Sequence, residues 1–335
     1  MELEELRERL GPFCKAMYSD PTVAVGEVWK MPGHAGFAYG FTVETAERSP
    51  SESWFLRLPP PNVNWKGTAD VLRQVAVLEA LDGSSVPHCR VRWSGDDLQW
   101  FDRPYFVVAK LEGDVVRSNK DSWVAGLDEQ RRREMAQQAM TALADIHKVD
   151  WHKAAYLGPP IEFRADVTRW DRFVEKAADP ERLALVPKVR QSLLDRMPQD
   201  VPVGIYHGDF QWANLFFSLD GNLLAVIDWE LVGVGATLND VGWIATFNDP
   251  SAWNSVQGIG GLMPEADELL EMYRIAYGDE LPDLSWFRAL AAYKFAIITG
   301  FNLMLHRRGK RPDPTWENTK ESVEPLLDRA AELLA

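Results

Sequence analysis

Cysteine is scarce in this chain: only Cys14 and Cys89 occur among 335 residues. Two thiols are too few for a disulfide framework, and they lie too far apart in sequence for a metal knuckle. A basic surplus is missing as well. Lys and Arg number 36 against 50 Asp and Glu, a formal net charge of −14, which excludes general attraction to nucleic acid or anionic lipid and requires any anionic ligand to be held by local groups. No run reaches the ~18 consecutive apolar residues of a membrane span, and the opening MELEELRERLGPF is charged. Internal repeats and low-complexity tracts are also missing. The expectation is a soluble, cytoplasmic protein that engages neither membrane nor nucleic acid.

What is present is a large apolar fraction, 46% of the chain, more than one compact core usually holds, so two lobes or one composite unit are expected. Tryptophan is frequent, at 14 copies, which reads as packing of cores and rims, with a dedicated aromatic substrate cage as the alternative. After a short amphipathic helix over Glu2–Met17, residues 24–31, 36–45 and 53–58 read as short antiparallel strands. Val71, Val75, Leu78 and Leu81 mark a helix over Ala69–Leu81, and strand character returns at 88–93 and 103–111. Helix formers then dominate 127–149, with Met135, Ala139, Leu143 and Ile146 on one face. Further helical patterns lie near 165–178, 181–196, 264–277, 285–307 and 315–334. Two β-type segments interrupt them, 204–210 and 223–229, joined by the turn SLDGN. This predicts an α+β bilobal fold: a small β-rich N-terminal lobe with one key helix, residues 1–110, and a larger, mostly helical lobe, residues 111–335, hinged near 109–115.

The stretch YHGDFQWANLFF sets His207, Asp209 and Asn214 in an apolar run, and Asp228 ends the next strand. This is the series H-x-D-x-x-x-x-N followed by a second Asp, which serves phosphoryl transfer. There, one carboxylate orients a hydroxyl nucleophile, and oxygen donors hold a divalent cation on a nucleotide triphosphate. In that reading Asp209 receives the hydroxyl hydrogen, Asn214 and Asp228 are ligands for Mg²⁺, and His207 is structural, its ring bonded to nearby backbone. A metallohydrolase is disfavoured because His207 has no His or Cys partner nearby. Ordinary turn chemistry explains each residue singly but not the set.

With these motifs the sequence resembles the aminoglycoside phosphotransferase and choline kinase superfamily, the small-molecule branch of the protein-kinase-like fold. HGDFQWANLFF followed by AVIDWELVGVGATLNDVGW is most similar to the kinase domains attached to some acyl-CoA dehydrogenases. TALADIHKVDW, TRW and PYFVVAKLEG are similar to further family segments. The resemblance implies ATP (or GTP) and Mg²⁺ as cofactors and a small-molecule hydroxyl as acceptor. It implies that backbone at Ala109 and Leu111 meets the adenine edge, that PGHAGFAYG with Gly36 covers the phosphates, and that Asp240 braces the loop bearing Asp209, where N-capping or a plain surface charge is the competing reading. Glycines 33, 36 and 40 would let main-chain N–H groups approach an anion, or simply form a hairpin.

Two positions depart from the family pattern. Arg57 stands where a phosphate-pairing Lys is usual, and Gln74 stands where its Glu partner is usual. A guanidinium still clamps phosphate, and Gln74 offers Arg57 an amide oxygen without charge. The closer subfamily in this resemblance implies a hydroxyacyl-CoA or another small alcohol as the acceptor. The alternatives are an aminoglycoside-type antibiotic kinase and a catalytically weak nucleotide binder. HRRGKRP (306–312) is the dense basic cluster, readable as a CoA-phosphate site or as a helix C-terminus stopped by Gly309. A protein kinase is disfavoured because no A-P-E element follows Asp228. Oligomeric state is not legible in these residues.

Overall fold

A computed structural model describes residues 1–31, 37–45, 48–117, 122–254 and 262–335. Helix α1 (Leu3–Tyr18) buries Leu6, Leu10, Phe13 and Cys14, the single stripe that its helical period lines up. That stripe packs on a five-stranded antiparallel sheet made of β1 (Ala24–Lys30), β2 (Ala38–Thr45), β3 (Arg48–Arg57), β4 (Val91–Gly95) and β5 (Tyr105–Ala109), in the order β1-β2-β3-β5-β4. Alternation along β5 decides what each face meets. Tyr105 and Val107 join the core under α1, whereas Phe106 and Val108 join a second, larger core.

Helix α2 (Val71–Leu81) covers that second face, and Asp70 caps it by accepting from the Leu72 N–H at 3.0 Å. Its Val71, Val75, Leu78 and Leu81 are continuous with the core of the helical part. Apolar packing therefore does not end near residue 110. The chain itself crosses there: the Lys110 N–H makes a sheet bond to Ser53 O at 2.9 Å. Gly113 then takes φ +154, with Phe217 O only 2.0 Å from where a Cβ would sit. Only glycine tolerates that approach. Strand β6 (Asp114–Val115) follows and pairs with the helical part.

Helix α3 (Glu129–Lys148), capped by Asp128, buries the Met135, Ala139, Leu143 and Ile146 face. The pattern near 165–178 breaks into α4 (Ala165–Thr168) and α5 (Asp171–Val174), and α6 (Val186–Asp195) follows. Segments 204–210 and 223–229 are not hairpin partners, contrary to their pattern. Strand β7 (Val203–Tyr206) instead pairs with β10 (Gly233–Ala236), whose glycines make room for Tyr206: a Cβ on Gly233 would lie 2.3 Å from its hydroxyl. A strand reading GVGA carries no β-branched alternation to announce it. The hairpin is β8 (Leu215–Phe217) with β9 (Leu223–Val226), closed by Gly221 at φ +87.

Helix α7 (Leu238–Phe247) also lacks a periodic signature, because residues 238–246 are buried all round. Its Gly242 lets the backbone reach Phe287 O, 2.2 Å from a hypothetical Cβ. The remaining helices are α8 (Ala266–Tyr277), α9 (Ser285–Arg307), α10 (Thr315–Thr319) and α11 (Val323–Leu333). Helix α9 is long and apolar enough to cross a membrane by composition, yet 67% of its most apolar window is buried against protein. It is the central core helix, packed on α7 and α11.

Candidate active site

The site is assembled where β7 runs out. After Tyr206 the chain turns through His207, Gly208 and Asp209, and one buried carboxylate from α7 holds the turn. Asp240 accepts the His207 N–H at 2.6 Å on one oxygen and the Gly208 N–H at 2.8 Å on the other. His147 Nε2 lies 3.3 Å from Asp240, and His147 Nδ1 lies 2.7 Å from the Tyr273 hydroxyl. Burial pushes the Asp240 carboxyl up, but the bond and charge of His147, with the other groups around it, hold it below the usual carboxylate range.

The His207 ring is fully buried and bonded to backbone at both nitrogens. Nδ1 accepts the Asp209 N–H at 3.2 Å, which leaves Nε2 to donate to Ile227 O at 2.9 Å. The imidazole thus ties the 207–209 turn to the residue preceding Asp228. Gly208, at φ +87, comes so close to Leu231 that a Cβ would meet Leu231 O at 2.4 Å. Asp209 and Asp228 consequently share one side of the molecule.

Asp209 is held by several donors. Gln211 Nε2 bridges both carboxylate oxygens at 2.9 Å, Trp243 Nε1 donates to Oδ1 at 2.8 Å, and Asn214 Nδ2 donates to Oδ2 at 3.0 Å. Burial pushes the carboxyl above its ordinary range against these bonds. Asn214 Nδ2 also bonds Asp209 O at 2.8 Å, so its Nδ2 is committed to Asp209 and its Oδ1 has no hydrogen bond among the described residues. The Ile227 N–H donates to Asn214 O at 2.9 Å, setting Asn214 beside Asp228 at the open end of the β8–β9 hairpin. Asp228 sits in the left-handed region, φ +61, with its side chain 43% exposed.

The sheet contributes Arg57, from the end of β3. Its Nη2 donates to Glu230 Oε2 at 3.1 Å and lies 4.0 Å from Asp228 Oδ1, and the side chain is only 14% exposed. Burial raises the Glu230 carboxyl, and the charge of Asp228 adds to it while Arg57 opposes. The bond from Gln74 to Arg57 anticipated from the sequence does not form among the described residues. Gln74 is buried on α2, and Arg57 turns to two carboxylates that a neutral amide cannot match. Helix α2 is tied across by its neighbour Arg73, which donates to Val232 O at 2.9 Å and Leu157 O at 3.3 Å.

The remaining positions belong to the N-terminal sheet and the segments flanking it. Ala109 is exposed at the end of β5, paired with Trp54, and Leu111 follows it with no backbone hydrogen bond among the described residues. Gly36, like Gly33, lies outside the described residues. Gly40 serves packing: a Cβ there would fall 2.1 Å from the Trp29 indole. Trp243, Gln211 and His147 were not singled out from sequence. Gln211 had a local signal, two residues beyond Asp209, whereas His147 and Trp243 lie unmarked inside the family-like segments TALADIHKVDW and LNDVGW.

A family model described as a phosphotransferase enzyme family matches residues 37–290. The chain belongs to this family. Among curated proteins, this phosphotransferase-family chain is 24% identical over 296 residues to acyl-CoA dehydrogenase family member 11 of Gallus gallus, covering 84% of the chain and 38% of that protein. It is 23% identical to the Homo sapiens protein of the same name, covering 74% and 33%. The chain thus spans about two fifths or less of the curated relatives it matches. Among solved structures, a Ralstonia eutropha protein whose proposed assignment is aminoglycoside phosphotransferase superposes with TM-score 0.77 at 20% identity, covering 98% of this chain and 97% of that one. A spectinomycin phosphotransferase in complex with ADP and spectinomycin gives 0.61 at 10% identity, covering 97% and 98%. These likenesses establish the fold: an antiparallel N-terminal sheet joined to a helical part in the protein-kinase-like arrangement.

Proposed function

We propose that the protein transfers the γ-phosphate of ATP or GTP, as a magnesium complex, to the hydroxyl of a small molecule, with Asp209 receiving the hydroxyl proton. The observation that carries this reading is the convergence of Asp209, Asn214 and Asp228 at one hairpin end, with Arg57 reaching in from the sheet. In a loose phosphoryl-transfer transition state the protein chiefly positions groups and balances charge. Trp243 and Asn214 fix the Asp209 carboxylate, while Gln211 spans both oxygens and yields a lone pair when the acceptor hydroxyl arrives.

The donor set fits magnesium: one uncommitted amide oxygen at Asn214 and one exposed carboxylate at Asp228, both hard oxygen ligands. Among the described residues no cluster of three His, Cys, Asp or Glu would hold a cation alone, so the nucleotide phosphates would complete the coordination. Bound there, the cation supplies neutralisation of charge on the phosphoryl oxygens. Arg57 would move from Glu230 to the phosphates, and the backbone at Leu111 would meet the base.

Replacing Arg57 with Ala is therefore expected to raise the nucleotide KM by about tenfold or more, the scale of a charge-assisted hydrogen bond. Steady-state kinetics with saturating acceptor checks this. An unchanged KM would mean that the phosphates are held elsewhere.

The acceptor we favour is a hydroxyacyl-CoA. The curated relatives named acyl-CoA dehydrogenase family member 11 carry a matching segment within a longer chain. Helix α9 does stop at Gly309, φ +66, but the basic segment beyond it is not consumed by the helix end. Arg307 pairs with Glu317 and Asp179, whereas Arg308, Lys310 and Arg311 stay exposed, and the charge of Arg311 reaches Glu230. Basic groups near the site's mouth suit the phosphates of CoA. A screen of γ-labelled nucleotide against hydroxyacyl-CoAs, small alcohols and aminoglycosides is expected to label a hydroxyacyl-CoA. Labelling of an aminoglycoside alone would select the antibiotic-kinase alternative. Tight nucleotide binding with no labelled acceptor would select a binding protein.

A further inference from the structure

Helix α9 carries a lysine into the interior beside the site. Lys294 is 8% exposed, and among the described residues it has no hydrogen bond and no carboxylate within ion-pair distance. Its ammonium instead lies 5.5 Å from the Trp170 ring centroid and 5.4 Å from that of Trp243. Burial pushes its pKa down to about 8, while Asp166, Asp240 and Asp209 act on it at longer range and oppose that shift. A buried cation without a close counter-charge is costly, even with two indole faces to lean on.

Its location relates it to the chemistry. Trp243 donates its indole N–H to Asp209 Oδ1 at 2.8 Å, so the ammonium and the carboxylate that meets the acceptor hydroxyl contact the same indole. Trp170 also carries the Arg169 guanidinium, 5.5 Å from its ring, and Arg169 is ion-paired with Asp166 at 3.1 Å. Two positive groups therefore share Trp170, and one of them, Lys294, also leans on the Trp243 indole that is bonded to Asp209.

We propose that Lys294 reads the acceptor: the molecule phosphorylated at Asp209 carries an acyl oxygen, either a carboxylate or a thioester carbonyl, a few atoms from its hydroxyl, and cationic acceptors are rejected. This rests on the reading of Asp209 as the group that receives the acceptor's proton. The physical reason is competition for the same surfaces. Indole faces that elsewhere cradle a ligand's ammonium are occupied here by the chain's own, and a second cation would meet repulsion in a poorly screened site. An acyl oxygen would supply the counter-dipole or counter-charge that Lys294 lacks.

The test is calorimetric titration of the full chain, loaded with a non-hydrolysable ATP analogue and magnesium, using four probes. These are 3-hydroxybutanoate, 3-hydroxybutyryl-CoA, butane-1,3-diol and choline. The acyl probes are expected to bind at least about tenfold tighter than the diol and choline, with the better acyl probe identifying the source of the oxygen. In Lys294→Met that preference disappears, while nucleotide affinity and the melting temperature stay near wild type. In Lys294→Arg part of the preference is kept, and this variant decides the matter if Lys294→Met does not fold. The inference is overturned if wild type shows no acyl preference, if the Met variant retains it, or if choline binds as well as the acyl probes. In a parallel assay with ATP in place of the analogue, acyl-selective binding without phosphate transfer would sink the kinase reading and leave the acyl-reading role of Lys294 standing. Equal transfer to the diol and the acyl probes would do the reverse.

Discussion

Asp209→Asn is expected to lower kcat by on the order of 10³-fold, the scale of a positioned general base, with little change in nucleotide affinity. Asparagine keeps the size of the side chain and an oxygen for the Trp243 N–H. Its new amide faces Asn214 and Gln211, both donors in the wild type. Gln211 relieves its share of that conflict by rotating its own amide to present oxygen, and Asn214 Nδ2 keeps its bond to the residue 209 carbonyl, so the loop is still held while the proton acceptor is lost. Arg57 and Asp228 are untouched, which is why the nucleotide term should stay constant. Single-turnover transfer, nucleotide titration and a melting curve separate the outcomes. Normal turnover in this variant would remove Asp209 from the chemistry.

Asp240→Ala is expected to cost stability rather than chemistry alone, by about 3–5 kcal/mol, the scale of stripping a buried charged partner from its donors. The His207 and Gly208 N–H groups and His147 all lose their acceptor, and at His207 and His147 burial keeps water from replacing it. For a chain of this size the melting temperature should fall by on the order of 10 °C, and the 207–209 turn should lose its set, taking activity with it. The pH dependence has a definite sign. The Asp240 carboxyl is held below its unfolded value, so its contribution is full above ~4 and is lost as pH falls through the folded value. The gap in melting temperature between wild type and Asp240→Asn should accordingly narrow in acid. A gap independent of pH would mean that the carboxylate's charge is not what holds the turn.

The elements legible in the sequence are those with a one-sided period. Helix α1 and helix α3 bury the stripes that their spacing lines up, and α9 begins and ends where its apolar pattern does. Helix α7 was hidden for the opposite reason, since a helix buried on every side has no polar face to beat against. Strand β10 was hidden because its glycines are there for Tyr206, not for strand propensity. The error over the hairpin has the same origin: two β-like segments were visible, but pairing depends on what lies between and beyond them.

The site divides along the same line. His207, Asp209, Asn214 and Asp228 lie within one short stretch, where a turn and a two-stranded hairpin bring them together with few freely varying dihedrals, so type and spacing in the sequence already determined that cluster. Distance along the chain governs the rest. Arg57 meets Glu230 across 173 residues and Trp243 reaches Asp209 across 34, and Lys294 approaches the site from a helix closer to the C-terminus. No local period encodes such meetings. They were decided only when the second face of the sheet and the buried helices closed around one core, because side chains far apart in sequence are brought into register by packing and not by spacing.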